Sequence, residues 1–251
     1  MSDFRVFASA PPVQDTLQLP PGESHHLVNV NRARAGDTVI AFDGRGTEWT
    51  CELADARKSG ATLRVLGTHT RAPLPCALTL AQALPKGGVM DDIVRHATEL
   101  GAARIVPLET ERTQVHLDGG RSDKKVEKWR TTALEAAKQC GNPFLPEIAA
   151  VQPLAAFLAS DVVNSAQLKL IASLHPGARP LRTTVAAFRE QTGRAPTDVV
   201  WLVGPEGDFS PAEMQAATDA GFVPVTLGPL VLRCDTAATA ALAVLSYEAT
   251  A

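Results

Sequence analysis

The hydrophobic pattern of this chain changes period at Arg71-Ala72-Pro73-Leu74-Pro75, where two prolines in three residues interrupt any regular element and mark a linker. Upstream, the pattern reads as β, in short apolar or alternating runs. Val39-Ile40-Ala41-Phe42 is a short apolar run closed by the turn pair Asp43-Gly44, and residues 48–53 and 61–66 alternate, the latter after Ser59-Gly60. Short strands at such close spacing predict a small β-barrel or sandwich. Downstream, strand-like runs alternate with helical spacing, the pattern of a parallel sheet with crossover helices. Residues 78–83 read as a strand. Val89, Ile93, Ala97 and Leu100 follow at helical spacing with a stop at Gly101, and residues 105–108 form the next strand. A second helix is expected to start at Ser122, with Val126, Trp129, Ala133, Ala136, Ala137 and Cys140 on one face. Residues 168–174 and 199–203 are continuous apolar runs, as expected of strands covered on both faces. Ser210-Pro211-Ala212-Glu213 combines capping-box spacing with a proline at the first helical position, and that helix should end at Gly221. Residues 223–227 form the last strand and 237–247 a closing apolar helix. The period change therefore divides a β-rich domain, residues 1–72, from an α/β domain, residues 73–251.

Each part is long enough to bury a core. The four cysteines, Cys51, Cys76, Cys140 and Cys234, form no C-x-x-C pair, so neither a zinc site nor a disulfide framework is indicated. No apolar run approaches the roughly 20 residues needed to span a bilayer, and the N-terminal segment lacks the layout of a signal peptide. No membrane, no metal and a cytoplasmic location are the expectations. The formal net charge of −3 argues against a surface coated with basic residues. Any nucleic-acid contact should then rest on a few placed cations.

Three late strands end in segments unlike ordinary surface loops: Ser173-Leu174-His175-Pro176-Gly177, Gly204-Pro205-Glu206-Gly207-Asp208-Phe209, and residues 227–237. In open α/β sheets ligands bind beyond the carboxyl ends of the strands, and glycines there admit close backbone approach. A Gly-Pro-x-Gly segment is ordinarily no more than a tight turn before a helix. Dinucleotide and P-loop fingerprints are missing, so spacing alone names no ligand.

Leu202-Val203-Gly204-Pro205-Glu206-Gly207-x-Phe209-Ser210-x-x-Glu213 and Leu227-Gly228-Pro229-x-Val231-Leu232-Arg233-x-x-Thr236-Ala237 resemble the two signature segments of the ribosomal small-subunit methyltransferase E family. Glu99-Leu100-Gly101, Pro107-Leu108, Glu111-Arg112, Lys128-Trp129 and Glu135-Ala136-Ala137-x-Gln139-Cys140-Gly141 are similar to its intervening pattern. Arg5-Val6-Phe7, residues 26–32 and Gly36-Asp37 are similar to its RNA-binding barrel. The resemblance implies an N-terminal PUA-like β-barrel followed by a SPOUT α/β domain with a trefoil knot. It also implies a homodimer that uses S-adenosylmethionine to make N3-methyluridine in 16S rRNA, free or in the small ribosomal subunit. The chain departs from the pattern at Asp208, where a second glycine is usual, at Cys234-Asp235 for Thr-Glu, at Asn142 for arginine, and at Leu230 for a basic residue.

On that resemblance, Arg233 is expected to stabilise anionic charge on the uracil or to bind a flanking phosphate, with Glu206 or Asp235 as the base; Glu206 can equally tie the loop by accepting backbone N–H bonds. Leu174, Leu227 and Leu232 are expected as apolar walls for the cofactor, and His175, Gly204, Pro205, Gly207, Gly228 and Thr236 as further contacts. Arg5, His26, Arg32, Arg34 and Arg112 are the candidate RNA contacts. Two readings stay open beside this one: a SPOUT ribose 2′-O-methyltransferase, and a non-catalytic RNA-binding protein of the same fold.

Overall fold

The two-residue alternation upstream of Pro73 forms strands in the computed structural model, which describes residues 4–115, 119–175 and 177–250. Pro176 of the 173–177 loop, and residues 1–3 of the N-terminal segment, lie outside the described residues. The chain divides into two compact units: Met1–Pro73 with Leu134–Leu145, and Leu74–Ala133 with Pro146–Ala251.

The first unit holds β1 (Phe4–Phe7), β2 (Thr16–Gln18), α1 (Pro21–His25), β3 (Thr38–Phe42), β4 (Thr47–Asp55) and β5 (Thr62–Thr70). A π-helical turn, His26–Val30, follows α1 directly; neither it nor α1 is visible in the alternation pattern. The strands form one sheet in the order β1-β3-β4-β5-β2, with β1 parallel to β3 and the remaining pairs antiparallel. Val6, Leu17, Leu27, Val39, Trp49, Leu53 and Leu63 are buried together in its core. Leu134–Leu145 joins this unit by backbone contacts: Leu145 N–H donates to Gly44 C=O at 3.0 Å and Gly46 N–H to Pro143 C=O at 3.1 Å. Lys138 is buried beside it and paired with Glu23 at 2.5 Å and Glu135 at 2.9 Å. A buried ammonium persists only when so paired.

The second unit contains β6 (Ala77–Ala83), α2 (Val89–Glu99), β7 (Arg104–Glu109), the start of α3 (Gly119–Cys140), β8 (Glu147–Ile148), β9 (Gln152–Pro153), α4 (Leu154–Leu158), α5 (Asp161–Ser165), β10 (Leu168–Ala172), β11 (Arg179–Pro180), α6 (Leu181–Thr192), β12 (Asp198–Val203), α7 (Pro211–Asp219), β13 (Val223–Thr226) and α8 (Cys234–Thr250). Its strands run parallel in the order β11-β13-β10-β12-β6-β7-β8, with β9 also on β7. Both faces are covered, which is why the central strands are largely apolar, with Thr79 and Gln82 of β6 buried as exceptions. Leu78, Leu80, Leu170 and Trp201 meet α2, α3, α6 and α8 on one face, whereas Ala81, Val106, Ile171 and Leu202 meet α4, α5 and α7 on the other.

Several boundaries differ from the sequence reading, among them those of α3, β10 and α8. Helix α3 begins at Gly119 and not at Ser122, and Cys140, expected on its apolar face, is exposed. Strand β10 stops at Ala172, which frees residues 173 and 174 for the loop. Helix α8 begins at Cys234, so Asp235 and Thr236 lie in its first turn. The Ser210–Glu213 capping box is present in both directions, and Gly101, at φ +79°, ends the turn after α2. Among the described residues no helix is long and apolar enough to cross a membrane.

Candidate active site

Strands β13, β10 and β12 are neighbours, so their carboxyl ends bring residues 173–174, 204–208 and 227–235 to one place. There they enclose a cavity of about 510 Å³. That size falls in the range of small-molecule sites, ~300–1,000 Å³. Leu174, Val203, Val225, Leu227 and Leu232 supply its apolar walls, and Gly204 and Pro205 its backbone edge. Its charged lining is three carboxylates, Glu206, Asp208 and Asp235, against one guanidinium, Arg233.

The loop after β12 is built from local and long-range hydrogen bonds. Asp208 N–H donates to Pro205 C=O at 3.0 Å, closing a turn, and Asp208 adopts φ +59°. That left-handed conformation suits glycine, and among other residues asparagine and aspartate tolerate it best. The Asp208 carboxylate accepts from Phe209 N–H at 2.8 Å and lies 3.9 Å from His175 Nε2. Glu206 Oε1 accepts from the backbone N–H of Lys86 at 2.9 Å. Gln82 is wholly buried beneath the loop; its side-chain amide donates to Ala83 C=O at 2.8 Å and to Gly204 C=O at 3.5 Å.

Cys234 is buried and lines the cavity. Burial, and then the carboxylates of Glu206 and Asp235, push its thiol above the ordinary range, while backbone hydrogen bonds offset part of this. It is therefore a neutral packing group, not a nucleophile.

Among the residues singled out from sequence, Arg233, Glu206, Asp235, Leu174, Gly204, Pro205, Leu227 and Leu232 all line the cavity. His175, Gly207, Gly228 and Thr236 do not. His175 is exposed beside Asp208, and Thr226 Oγ1 donates to the Gly228 carbonyl at 2.8 Å. Thr236 is exposed in the first turn of α8, and Gly207 turns its carbonyl to Arg112. Val89, Ser173 and Val231 line the cavity without having been singled out as site residues, as do Asp208 and Leu230, noted only as departures. Val89 had carried the signal of a helix-core position. Lys86 contributes a backbone group, which no side-chain pattern can announce.

Of the candidate RNA contacts, Arg32 and Arg34 are exposed and His26 is half-buried, all within one stretch of the first unit. Arg5 is instead committed inside that unit: its guanidinium lies 2.9 Å from Glu48 and 5.1 Å from the centre of the Phe42 ring. Arg112 belongs to the second unit.

The RNA methyltransferase domain family matches residues 72–246, and the RNA methyltransferase PUA domain family matches residues 19–66. A ribosomal RNA small subunit methyltransferase E from a Synechocystis species is 35% identical over 232 residues, covering 92% of this chain and 73% of that protein. Its namesake from Bacillus subtilis is 30% identical over 244 residues, 93% of this chain and 90% of the relative. A ribosomal RNA small subunit methyltransferase E from Neisseria gonorrhoeae, solved bound to S-adenosyl methionine, superposes with a TM-score of 0.84 at 32% identity over 96% of each chain. A Legionella pneumophila protein solved with bound SAM gives a TM-score of 0.87 at 32% identity over 98% of each chain.

Proposed function

The chain belongs to the ribosomal RNA small subunit methyltransferase E family, and on that premise we propose that it methylates N3 of a uridine in 16S rRNA, with S-adenosylmethionine as methyl donor. The observation that carries this reading is the convergence of three strand-end loops on one cavity whose lining suits that donor. The apolar walls and the Gly204-Pro205 backbone fit an adenosine, and the excess of carboxylates fits a cationic sulfonium. S-adenosylmethionine supplies an activated methyl group; the protein's task is to position the acceptor and manage its proton.

Uracil N3 carries a proton and becomes nucleophilic only as that proton leaves. Arg233, in the cavity lining, stabilises the anion that develops on the base by donating to one carbonyl oxygen beside N3, which leaves N3 itself open to the methyl group. Asp235 takes the proton. Glu206 holds the loop through the Lys86 N–H, its carboxylate already engaged by that bond.

The finer architecture follows the same reading. Residues 1–72 supply a PUA-like RNA-binding barrel, which residues 134–145 rejoin and in which His26, Arg32 and Arg34 meet phosphates, and the remainder of residues 73–251 supplies a SPOUT domain. A trefoil knot is supported by the path of the chain, which leaves β13 on the far side of β10 and returns to pack α8 on α2, β12 and β6. A homodimer is supported by the apolar side chains exposed at Leu230, Val231 and Val244. The protein acts in the cytoplasm, where its rRNA substrate is made. Nucleoside mass spectrometry of 16S rRNA incubated with protein and S-adenosylmethionine tests the activity. N3-methyluridine is expected; a 2′-O-methylated nucleoside, or no methyl transfer, would overturn it.

A further inference from the structure

We propose that Arg112 is a positioning residue for the cofactor loop, acting on S-adenosylmethionine binding through Gly207. Its sequence context marked it as a phosphate contact, but its placement assigns it a second partner. The Arg112 guanidinium donates to the Gly207 carbonyl at 2.8 Å, across 95 positions of sequence. The backbone at Gly207 also lies against the Arg112 stem: a Cβ added there would stand 3.2 Å from the Arg112 Cβ and 3.6 Å from its Cδ. A side chain at Gly207 would therefore press on the Arg112 stem, and the neighbours of Gly207, Glu206 and Asp208, both line the cavity.

The segment that presents Arg112 is itself built to be stationary. Thr110 and Thr113 are buried, their hydroxyls 2.8 Å apart, and Thr113 N–H returns to Thr110 C=O at 3.1 Å. Between them, Glu111 N–H donates to Glu213 Oε1 at 2.8 Å. An exposed arginine on a free loop would hold nothing in place. Here the turn beneath it is fixed at both ends, so the guanidinium pins the 204–208 loop from one side as the Lys86 N–H pins it from another. A guanidinium has further N–H donors beyond the one bound to Gly207, so the pin leaves it able to meet a phosphate as well.

The inference rests on the reading that the cavity takes S-adenosylmethionine, and the test separates the two. Arg112→Met keeps the stem and removes the donors; Arg112→Lys restores a cationic donor group without the planar fork. Calorimetry with S-adenosylmethionine in the absence of RNA should show affinity about tenfold weaker for Arg112→Met, the loss expected of one charge-assisted hydrogen bond, with partial recovery in Arg112→Lys. KM for S-adenosylmethionine should rise more than kcat falls. Amide hydrogen exchange at Asp208, whose N–H closes the loop turn, should quicken in the ligand-free variant. Unchanged affinity and unchanged exchange, with RNA binding alone weakened, would overturn the proposal and leave Arg112 a phosphate contact. If the unaltered protein fails to bind S-adenosylmethionine, the functional reading falls instead. The exchange measurement then decides the pin by itself, faster exchange supporting it and equal exchange refuting it.

Discussion

The Glu206 carboxylate and the Lys86 backbone N–H, 120 positions apart, meet at 2.9 Å and join the loop after β12 to the segment after β6. If that bond is the purpose of the carboxylate, an amide can replace it. Glu206→Gln is expected to keep most of the turnover, whereas Glu206→Ala should weaken S-adenosylmethionine binding about tenfold through loss of the tie. Single-turnover kinetics beside calorimetry checks this; a Gln variant that binds the donor normally but does not react would make Glu206 the base.

Arg233 contributes the cavity's one positive side chain among its lining residues. Arg233→Ala is expected to lower kcat about a hundredfold or more while leaving thermal unfolding unchanged, as for loss of a donor aimed at developing charge. Arg233→Lys should recover only part, because the ammonium lacks the planar fork. Near-normal turnover in the alanine variant would remove Arg233 from the chemistry.

Asp208 holds a left-handed backbone at φ +59°. Asp208→Gly relieves that conformation but loses the bond to Phe209 N–H and frees the unfolded chain, so stability should change by less than about 1 kcal/mol. Asp208→Val should cost about 1–2 kcal/mol, since a branched side chain resists this region. Denaturant midpoints of the two variants distinguish backbone strain from lost charge: equal losses would exclude strain as the cause.

Glu48 gives the first unit an acid-sensitive contact. Burial raises its carboxyl pKa, but hydrogen bonds and charge from Arg71 and Arg5 outweigh burial and hold it below the ordinary value. The stabilisation is therefore complete above the unfolded glutamate value and disappears as pH falls through the lower folded one. Glu48→Gln should be less stable than the unaltered protein by about 2 kcal/mol at neutral pH, with the difference closing as pH falls through the lowered folded value. A gap that persists in acid would mean that the glutamine is misfitted rather than uncharged.

Most of this organisation was legible in the sequence where a local rule decides it. The period change near Pro73 separated the two kinds of sheet, and the Ser210–Glu213 pair announced its helix correctly. Arg233, Glu206 and Asp235 came together because each follows a strand end in one parallel sheet. What stayed hidden depends on contacts between distant positions. The return of Leu134–Leu145 to the first unit is written in no periodicity, because Leu145 meets Gly44 only after folding. The early start of α8 was masked by Cys234-Asp235-Thr236, which read as loop residues within a signature segment. Arg5 looked like a surface cation because its partner Glu48 lies on another strand.

The capping box has a further consequence. Glu213 Oε2 accepts from Ser210 N–H at 2.9 Å to start α7, while its Oε1 accepts from Glu111 N–H at 2.8 Å. One carboxylate thus sets both the first turn of a helix and the stance of the segment bearing Arg112. A residue absent from the cavity wall then governs how tightly that wall is braced. Substitutions at Glu213 should show up in donor affinity before they show up in helix content, so a survey confined to cavity-lining positions would overlook one of the residues that shapes the cavity.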